Sequence, residues 1–315
     1  DSNLLSLKKY YSNGKLLLSA EYLVLDGAVA LAIPTKYGQD LVVDPIKEQV
    51  LVWESYDVDK NCWFQAEFRL PDVRIINETF DAESEDSKES IAQTLQKIVL
   101  TAKEMNSEFL NSKHGFLIKT HLSFPRDWGL GTSSTLINNI AQWAKVDAFE
   151  LLQNSFGGSG YDIACAQNNM PITYQISNSK PEVNEVTFDP VFANKLFFVH
   201  LNQKQDSKKG IKRYKEYKGD VSAFKEKVNA ITEEMISCIE LIQFEKLIKE
   251  HETLISGITQ NKPIKDIVFQ DYFGEIKSLG AWGGDFVLAT GDERTPAYFQ
   301  SKGFDTVIPY AEMIL

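Results

Sequence analysis

The stretch Pro125-Arg126-Asp127-Trp128-Gly129-Leu130-Gly131-Thr132-Ser133-Ser134-Thr135 carries the sharpest chemical signal in this sequence. Before it, Phe116, Ile118 and Thr120 alternate with Lys119 and His121, which predicts a half-buried strand. After it, Leu136, Ile137, Ile140, Ala141 and Ala144 recur at helical spacing. Strand, glycine turn and helix start suit an anion. Glycines let backbone approach closely, and a helix start offers unpaired N–H groups and the positive end of the peptide dipole. Thr132, Ser133 and Ser134 add hydroxyls that suit phosphate oxygens or a cation. A glycine turn closed by a Ser/Thr helix cap reads the same way, so on these residues alone both readings stand. Two other nucleotide loops are excluded. No Gly-Lys-Ser/Thr follows Gly131, and the G-x-G-x-x-G spacing fails.

Two further glycine clusters lie downstream. Gly157-Gly158-Ser159-Gly160-Tyr161-Asp162-Ile163-Ala164 places Asp162 at the first turn of a short predicted helix, where an acid also satisfies the helix dipole. Ser278-Leu279-Gly280-Ala281-Trp282-Gly283-Gly284-Asp285 runs into a predicted strand, Phe286 to Ala289. It reads either as a tight turn or as backbone laid against a ligand.

Around these clusters the chain reads as mixed α and β. Short runs at Leu16–Ser19, Val29–Ile33, Leu41–Val43, Val50–Glu54 and Trp63–Phe68 predict early strands. The acids Asp81, Glu83, Glu85, Asp86 and Glu89 predict a solvated loop. Ser87 or Ser90 then caps a helix whose apolar face is Ile91, Leu95, Ile98, Val99 and Ala102. A strand at Leu196–Leu201 precedes a helical region, about Val221 to Ile258, with Ile231, Met235, Ile239 and Ile242 as one core-facing stripe. A helix over Thr295–Lys302 and a strand over Thr306–Pro309 close a β-α-β unit. A domain boundary is expected near residue 190.

Composition excludes several function classes. At 43% hydrophobic the chain can bury a sizeable core, and its net charge of −11 argues against nucleic acid or an anionic membrane as partner. Cys62, Cys165 and Cys238 are odd in number and far apart, which predicts reduced thiols and a cytoplasmic setting. The most apolar early stretch, Tyr22 to Pro34, is too short to span a bilayer, and no signal peptide is visible. Residue 1 is Asp rather than Met, and a few residues are expected to precede it.

The order of the three clusters, with the early Gly14-Lys15-Leu16-Leu17-Leu18-Ser19-Ala20-Glu21-Tyr22-Leu23-Val24, resembles the GHMP kinases. This group includes galactokinase, homoserine kinase, mevalonate kinase and phosphomevalonate kinase. Pro125 to Ser134 is similar to the family's P-x-x-x-G-L-G-S-S. Gly158-Ser159-Gly160-Tyr161-Asp162 and Gly283-Gly284-Asp285 are similar to segments of phosphomevalonate kinases. The resemblance implies an α+β fold of two domains, a ribosomal-protein-like N-terminal domain (1–190) and a ferredoxin-like C-terminal domain (191–315), with nucleotide and acceptor between them. It implies ATP and Mg²⁺, with Gly129, Leu130, Gly131, Thr132, Ser133 and Ser134 around the phosphates and Ser133 on the metal. Asp162 and Lys15 are the implied catalytic pair. Glu21, Ser159, Gly160, Gly280, Gly283 and Gly284 are implied to line the acceptor site. The expected partner is a small anionic acceptor, with an oligomer compatible.

The residues add one candidate and two departures. Lys204, Lys208, Lys209, Lys212 and Arg213 crowd one stretch, which suits an anionic substrate and equally a solvated basic helix face. Where mevalonate kinases carry a Mg²⁺-binding Glu, this chain has Leu151, so either Glu150 takes the role through a one-residue shift or the metal relies on Ser133 and water. Trp282 stands where a small residue is usual in the family. Three rival readings follow. A non-catalytic relative is opposed by Lys15, Ser133 and Asp162; a decarboxylase of the superfamily by Gly129-Leu130-Gly131; a nucleic-acid module by the charge.

Overall fold

A computed structural model describes residues 6–80, 90–205 and 207–315. The expected acidic loop, Asp81, Glu83, Glu85, Asp86 and Glu89, lies outside the described residues, as does Ser87. The chain divides into two compact units, neither of them one stretch. The first comprises the chain through Gly14, Tyr37–Arg126 and Gly131–Gln167; the second comprises Lys15–Lys36, Asp127–Leu130 and Asn168–Leu315.

Five strands open the chain: β1 (Lys8–Leu17), β2 (Ala30–Ile46), β3 (Val50–Tyr56), β4 (Cys62–Arg69) and β5 (Arg74–Phe80). Helix α1 (Ile91–Met105), strand β6 (Gly115–Leu122) and helices α2 (Thr132–Ala144), α3 (Ala148–Ser155) and α4 (Tyr161–Gln167) follow. The strand order in the first unit is β5-β4-β3-β6-β2, antiparallel except for β3 and β6. Period-two alternation turns Leu51, Trp53, Phe64, Ala66, Phe68 and Ile118 to one core with Leu95, Ile98, Val99, Ile137, Ile140 and Leu151. Ser90 is the cap of α1: its hydroxyl accepts the Gln93 N–H at 3.1 Å, and the Gln93 side chain accepts the Ser90 N–H at 2.9 Å.

Strand β2 merges two expected strands. Its residues Ala30–Ala32 pair with β7 (Ile172–Ser177), and Gln39–Ile46 pair with β6. Pro34 falls between the stretches of β2 that pair with β7 and with β6.

In the second unit β7 pairs with β8 (Lys180–Glu185). Strand β9 (Leu196–His200), helices α5 (Ser207–Lys215), α6 (Ser222–Ser237), α7 (Leu241–Thr259) and α8 (Ile264–Val268), then β10 (Ile276–Ser278) and β11 (Phe286–Thr290) follow. Helix α9 (Thr295–Ser301), β12 (Val307–Pro309) and α10 (Tyr310–Met313) end the chain. The strand order β10-β11-β9-β12 is wholly antiparallel, with α6 and α7 crossing from β9 to β10 and α9 from β11 to β12. This is the β-α-β-β-α-β ferredoxin-like arrangement, and the fold class is α+β.

One expected core stripe is corrected. Ile231 and Met235 are buried, but Ile239 and Ile242 are 73% and 68% exposed. The helical region breaks after Ser237, and Cys238 takes an extended conformation, so the phase of the stripe is lost across the gap. No described helix is long and apolar enough to cross a membrane, and none of the three cysteines is disulfide-bonded.

Candidate active site

In the first unit, α2 begins at Gly131, a left-handed residue (φ +95°), and no side chain caps it. The Ser/Thr-cap reading of this stretch therefore fails. The first helical bond is Thr135 N–H to the Gly131 carbonyl at 2.9 Å, which leaves the earlier amides of the turn without helical partners. Ser133 is exposed in that turn, and Thr132 is half-buried. Ser134 is buried, and its hydroxyl donates to the Gly131 carbonyl at 3.0 Å. Asp162 lies at the first turn of α4, half-buried, its carboxylate accepting the Ile163 N–H at 3.0 Å. Gly160 (φ +92°) is buried directly before the helix, beside half-buried Ser159.

A polar chain, not foreseen from the sequence, ties these two helices together. Gln39 donates from its amide to the Thr135 hydroxyl at 2.7 Å and the Thr132 carbonyl at 3.0 Å. The Gln39 carbonyl accepts from Asn139, and Ser12 donates to Asn139 at 2.7 Å. Asn138 donates to Ser12 at 2.8 Å and accepts from Gln167, at the end of α4, at 3.0 Å. A hydrogen-bonded chain of this kind fixes orientation, because rotation strands a polar group.

Glu150 and Leu151 sit side by side in α3. Leu151 is wholly buried in the core, whereas Glu150 is exposed, its N–H bonded to the Asp147 cap. Among the described residues, no group of three or more His, Cys, Asp or Glu is placed to hold a metal ion.

In the second unit, Lys15 meets the glycine turn twice. Its N–H donates to the Leu130 carbonyl at 3.0 Å, and its ammonium donates to the Gly129 carbonyl at 2.7 Å. Leu130 is wholly buried, and its carbonyl is taken up by the Lys15 N–H. Gly129 (φ +70°) also lies flat against Asp285: a Cβ there would stand 2.3 Å from the Asp285 carboxyl carbon. Asp285 is held on both sides, its N–H donating to the Gln203 carbonyl and its carbonyl accepting from Leu201, each at 2.8 Å. Its carboxylate accepts the Gln205 N–H at 3.2 Å. Burial raises the Asp285 carboxyl above the usual carboxylate range, and the positive charge of Lys15, then the Gln205 N–H, Lys204 and His200, oppose this.

The third glycine cluster packs on the same loop. A Cβ on Gly284 would stand 2.7 Å from Gln205 Cβ, and Gln203 donates to the Gly283 carbonyl. Gly280 (φ +65°) has open space where a Cβ would project. Trp282 is 5% exposed, and its backbone N–H donates to the Tyr22 hydroxyl at 3.1 Å. Tyr22 stacks on Tyr214, which donates to Asp26, and Gly210 admits the Tyr22 ring. These contacts seat α5, leaving Lys208, Lys209, Lys212 and Arg213 exposed along it and Lys204 exposed just before it.

Glu21, expected at the acceptor, is 1% exposed and pairs with the fully buried Lys277 at 2.5 Å. His251 accepts the Ala20 N–H at Nε2, so its ring is neutral, and burial holds its pKa well below the usual value. Glu252, packed in the same cluster, is pushed up to about 8 by burial, with Lys277 acting against the shift.

No protein-family model and no curated protein matches the sequence. Solved structures match its fold. Mevalonate kinase of Methanococcus jannaschii aligns with a TM-score of 0.66 at 14% identity, covering 97% of this chain and 98% of that one. Phosphomevalonate kinase of Streptococcus pneumoniae gives 0.66 at 15% identity, over 96% and 98%. Galactokinase of Lactococcus lactis, complexed with galactose, gives 0.66 at 12% identity, over 95% and 89%. The chain has the two-domain fold of the GHMP kinases, the group its motifs resemble. At these identities the likeness speaks to fold alone.

Proposed function

We propose that the protein is an ATP-dependent small-molecule kinase whose favoured acceptor is 5-phosphomevalonate. The observation that carries this reading is the Lys15 ammonium on the Gly129 carbonyl, which joins the early Gly-Lys motif to the glycine turn in a fold shared with such kinases. In this reading residues 1–190 serve the nucleotide and residues 191–315 serve the acceptor.

The uncapped start of α2 and the backbone from Gly129 to Ser134 bind the ATP phosphates. Exposed Ser133 fits Mg²⁺ held mostly by phosphate oxygens and water, the usual habit of that ion, and Glu150 is a second candidate ligand. When bound, Mg²⁺ screens phosphate charge. The γ-phosphorus–oxygen bond to ADP breaks as the acceptor oxygen bonds to the γ-phosphorus. Asp162 orients the acceptor, and Lys15 stabilises the charge that develops on the transferring group. Ser159, Gly160, Gly280, Gly283 and Gly284 line the acceptor in this reading; Gly280 has open space beside it, whereas Gly284 is packed against Gln205.

The acceptor decides how much Asp162 must do. An alcohol loses a proton during attack, which Asp162 would take. A phosphate monoester, with a second pKa of about 6, arrives largely ionised and needs positioning by cations. Lys204 and Lys208 are the proposed cations, and their exposure in an acidic protein favours the phosphorylated acceptor. The Streptococcus pneumoniae enzyme in complex with phosphomevalonate and AMPPNP shares this fold, with a TM-score of 0.64. Mevalonate is the second reading, favoured by the shared fold of the Methanococcus jannaschii enzyme.

A coupled ADP-release assay with Mg-ATP tests this, comparing phosphomevalonate, mevalonate, galactose and homoserine. Turnover of phosphomevalonate alone is expected. Turnover of mevalonate alone would transfer the assignment to the second reading. Silence with all four, from protein that binds ATP, would discard both isoprenoid acceptors.

A further inference from the structure

Asp285 is pressed against the glycine turn, and the reading above leaves it without a role. Its carboxyl carbon lies 2.3 Å from where a Cβ of Gly129 would stand, so it packs directly on the turn. It is half-buried and makes no ion pair within 4 Å among the described residues. Its side chain accepts a hydrogen bond from the Gln205 N–H. Its backbone sits at φ +54°, an unfavourable value for a residue with a side chain, though Asp tolerates it. Bonds to Gln203 and Leu201 hold that conformation.

A carboxylate in this place is a liability to a polyphosphate site. Two like charges at close range in a half-buried setting repel, and the cost grows as water is excluded. A divalent cation turns the liability into attraction.

Resting on the kinase reading, we propose that Asp285 is the carboxylate that faces the nucleotide's divalent cation, admitting the metal complex and rejecting the metal-free nucleotide. It stands to the metal directly or through a bound water, both of which suit Mg²⁺. The alternative is that Asp285 only steadies Lys15 and Lys204, whose charges act on it. The two differ in one respect. A carboxylate that serves the lysines affects nucleotide binding equally with and without metal. One that serves the metal affects the ratio.

The test is titration calorimetry of ADP binding to the full chain, in saturating Mg²⁺ and in EDTA. Wild type, Asp285→Asn and Asp285→Gly are compared, since Asn and Gly both accept a left-handed backbone. Wild type is expected to lose at least about 10-fold in affinity on removal of Mg²⁺, the scale of carboxylates that act on a metal site. In both variants metal-free ADP should bind within about 3-fold of Mg-ADP, by loss of that same term. An unchanged ratio in both variants overturns the proposal. Wild type that binds ADP equally well in both conditions overturns it too, while leaving the kinase reading in place. Wild type that binds no ADP in either condition removes the kinase reading itself, and the proposal with it.

Discussion

At the scale of single residues, the candidate site rests on a few side chains and one glycine. Lys15→Ala and Asp162→Ala are each expected to lower turnover at least about 100-fold, as losses of electrostatic and acid–base groups do. Circular dichroism should show both variants folded. Either one turning over at the wild-type rate would take that residue out of the mechanism. Gly129→Ala tests the turn in a different way. The added Cβ would meet the Asp285 carboxylate at 2.3 Å on a backbone at φ +70°. It should therefore destabilise the protein by about 1 kcal/mol or more, with ADP affinity falling alongside. Urea unfolding checks the first effect and calorimetry the second. A variant as stable as wild type would mean that Asp285 moves aside at little cost.

At the scale of elements, α1 shows how local chemistry and packing combine. Its capping box, Ser90 with Gln93, satisfies two amides, and its buried face carries Leu95, Ile98, Val99 and Ala102. Ser90→Ala should cost about 1 kcal/mol, the usual value of such a cap, with no change in ADP affinity because α1 bears no candidate site residue. A loss below the error of chemical denaturation would show that packing alone sustains the helix start. The helices α2 and α4 are different, because their ends carry the candidate chemistry. They are joined through Gln39, Ser12, Asn138 and Gln167 rather than by apolar contact alone. Such a join resists rotation, whereas an apolar interface of equal area tolerates it.

At the scale of the whole molecule, stability carries a pH dependence set by the buried cluster around Lys277. Glu252 titrates at about 8 when folded and near 4.5 when unfolded, so between these values the folded chain holds a proton that the unfolded chain has lost. Stability therefore falls as pH rises through this window, at about 1.4 kcal/mol per pH unit for one group. His251 acts oppositely below its unfolded value of 6.5, because the folded ring stays neutral while the unfolded ring charges. The two slopes oppose each other in mildly acidic solution, Glu21, also raised by burial, adds to the decline, and the His251 contribution ends above 6.5. Urea unfolding at pH 6.5, 7.2 and 8, buffer choices within about that window, should show wild type weakening more steeply than Glu252→Gln. A parallel decline in both proteins would assign the slope to other groups.

What the sequence determined by itself was local. The glycine turns were legible because their backbone angles exclude other residues, and β3 and β4 because a half-buried strand must alternate. The Ser90 cap and the break before Asp162 belong to the same class, since each depends on neighbours within one turn of chain. The GHMP-like fold was legible through the order of its motifs, not through any single one. Tertiary structure decided the rest. Lys277 stands between Ile276 and Ser278 and reads as a solvent-facing residue of a strand, yet both faces of β10 are covered and it is fully buried. Alternation identifies two faces but not how many of them are covered. Asp285 against Gly129, and Gln39 against Thr135, are likewise set by strand register and loop path. Those depend on partners distant in sequence, whose side chains leave no periodic mark on one another.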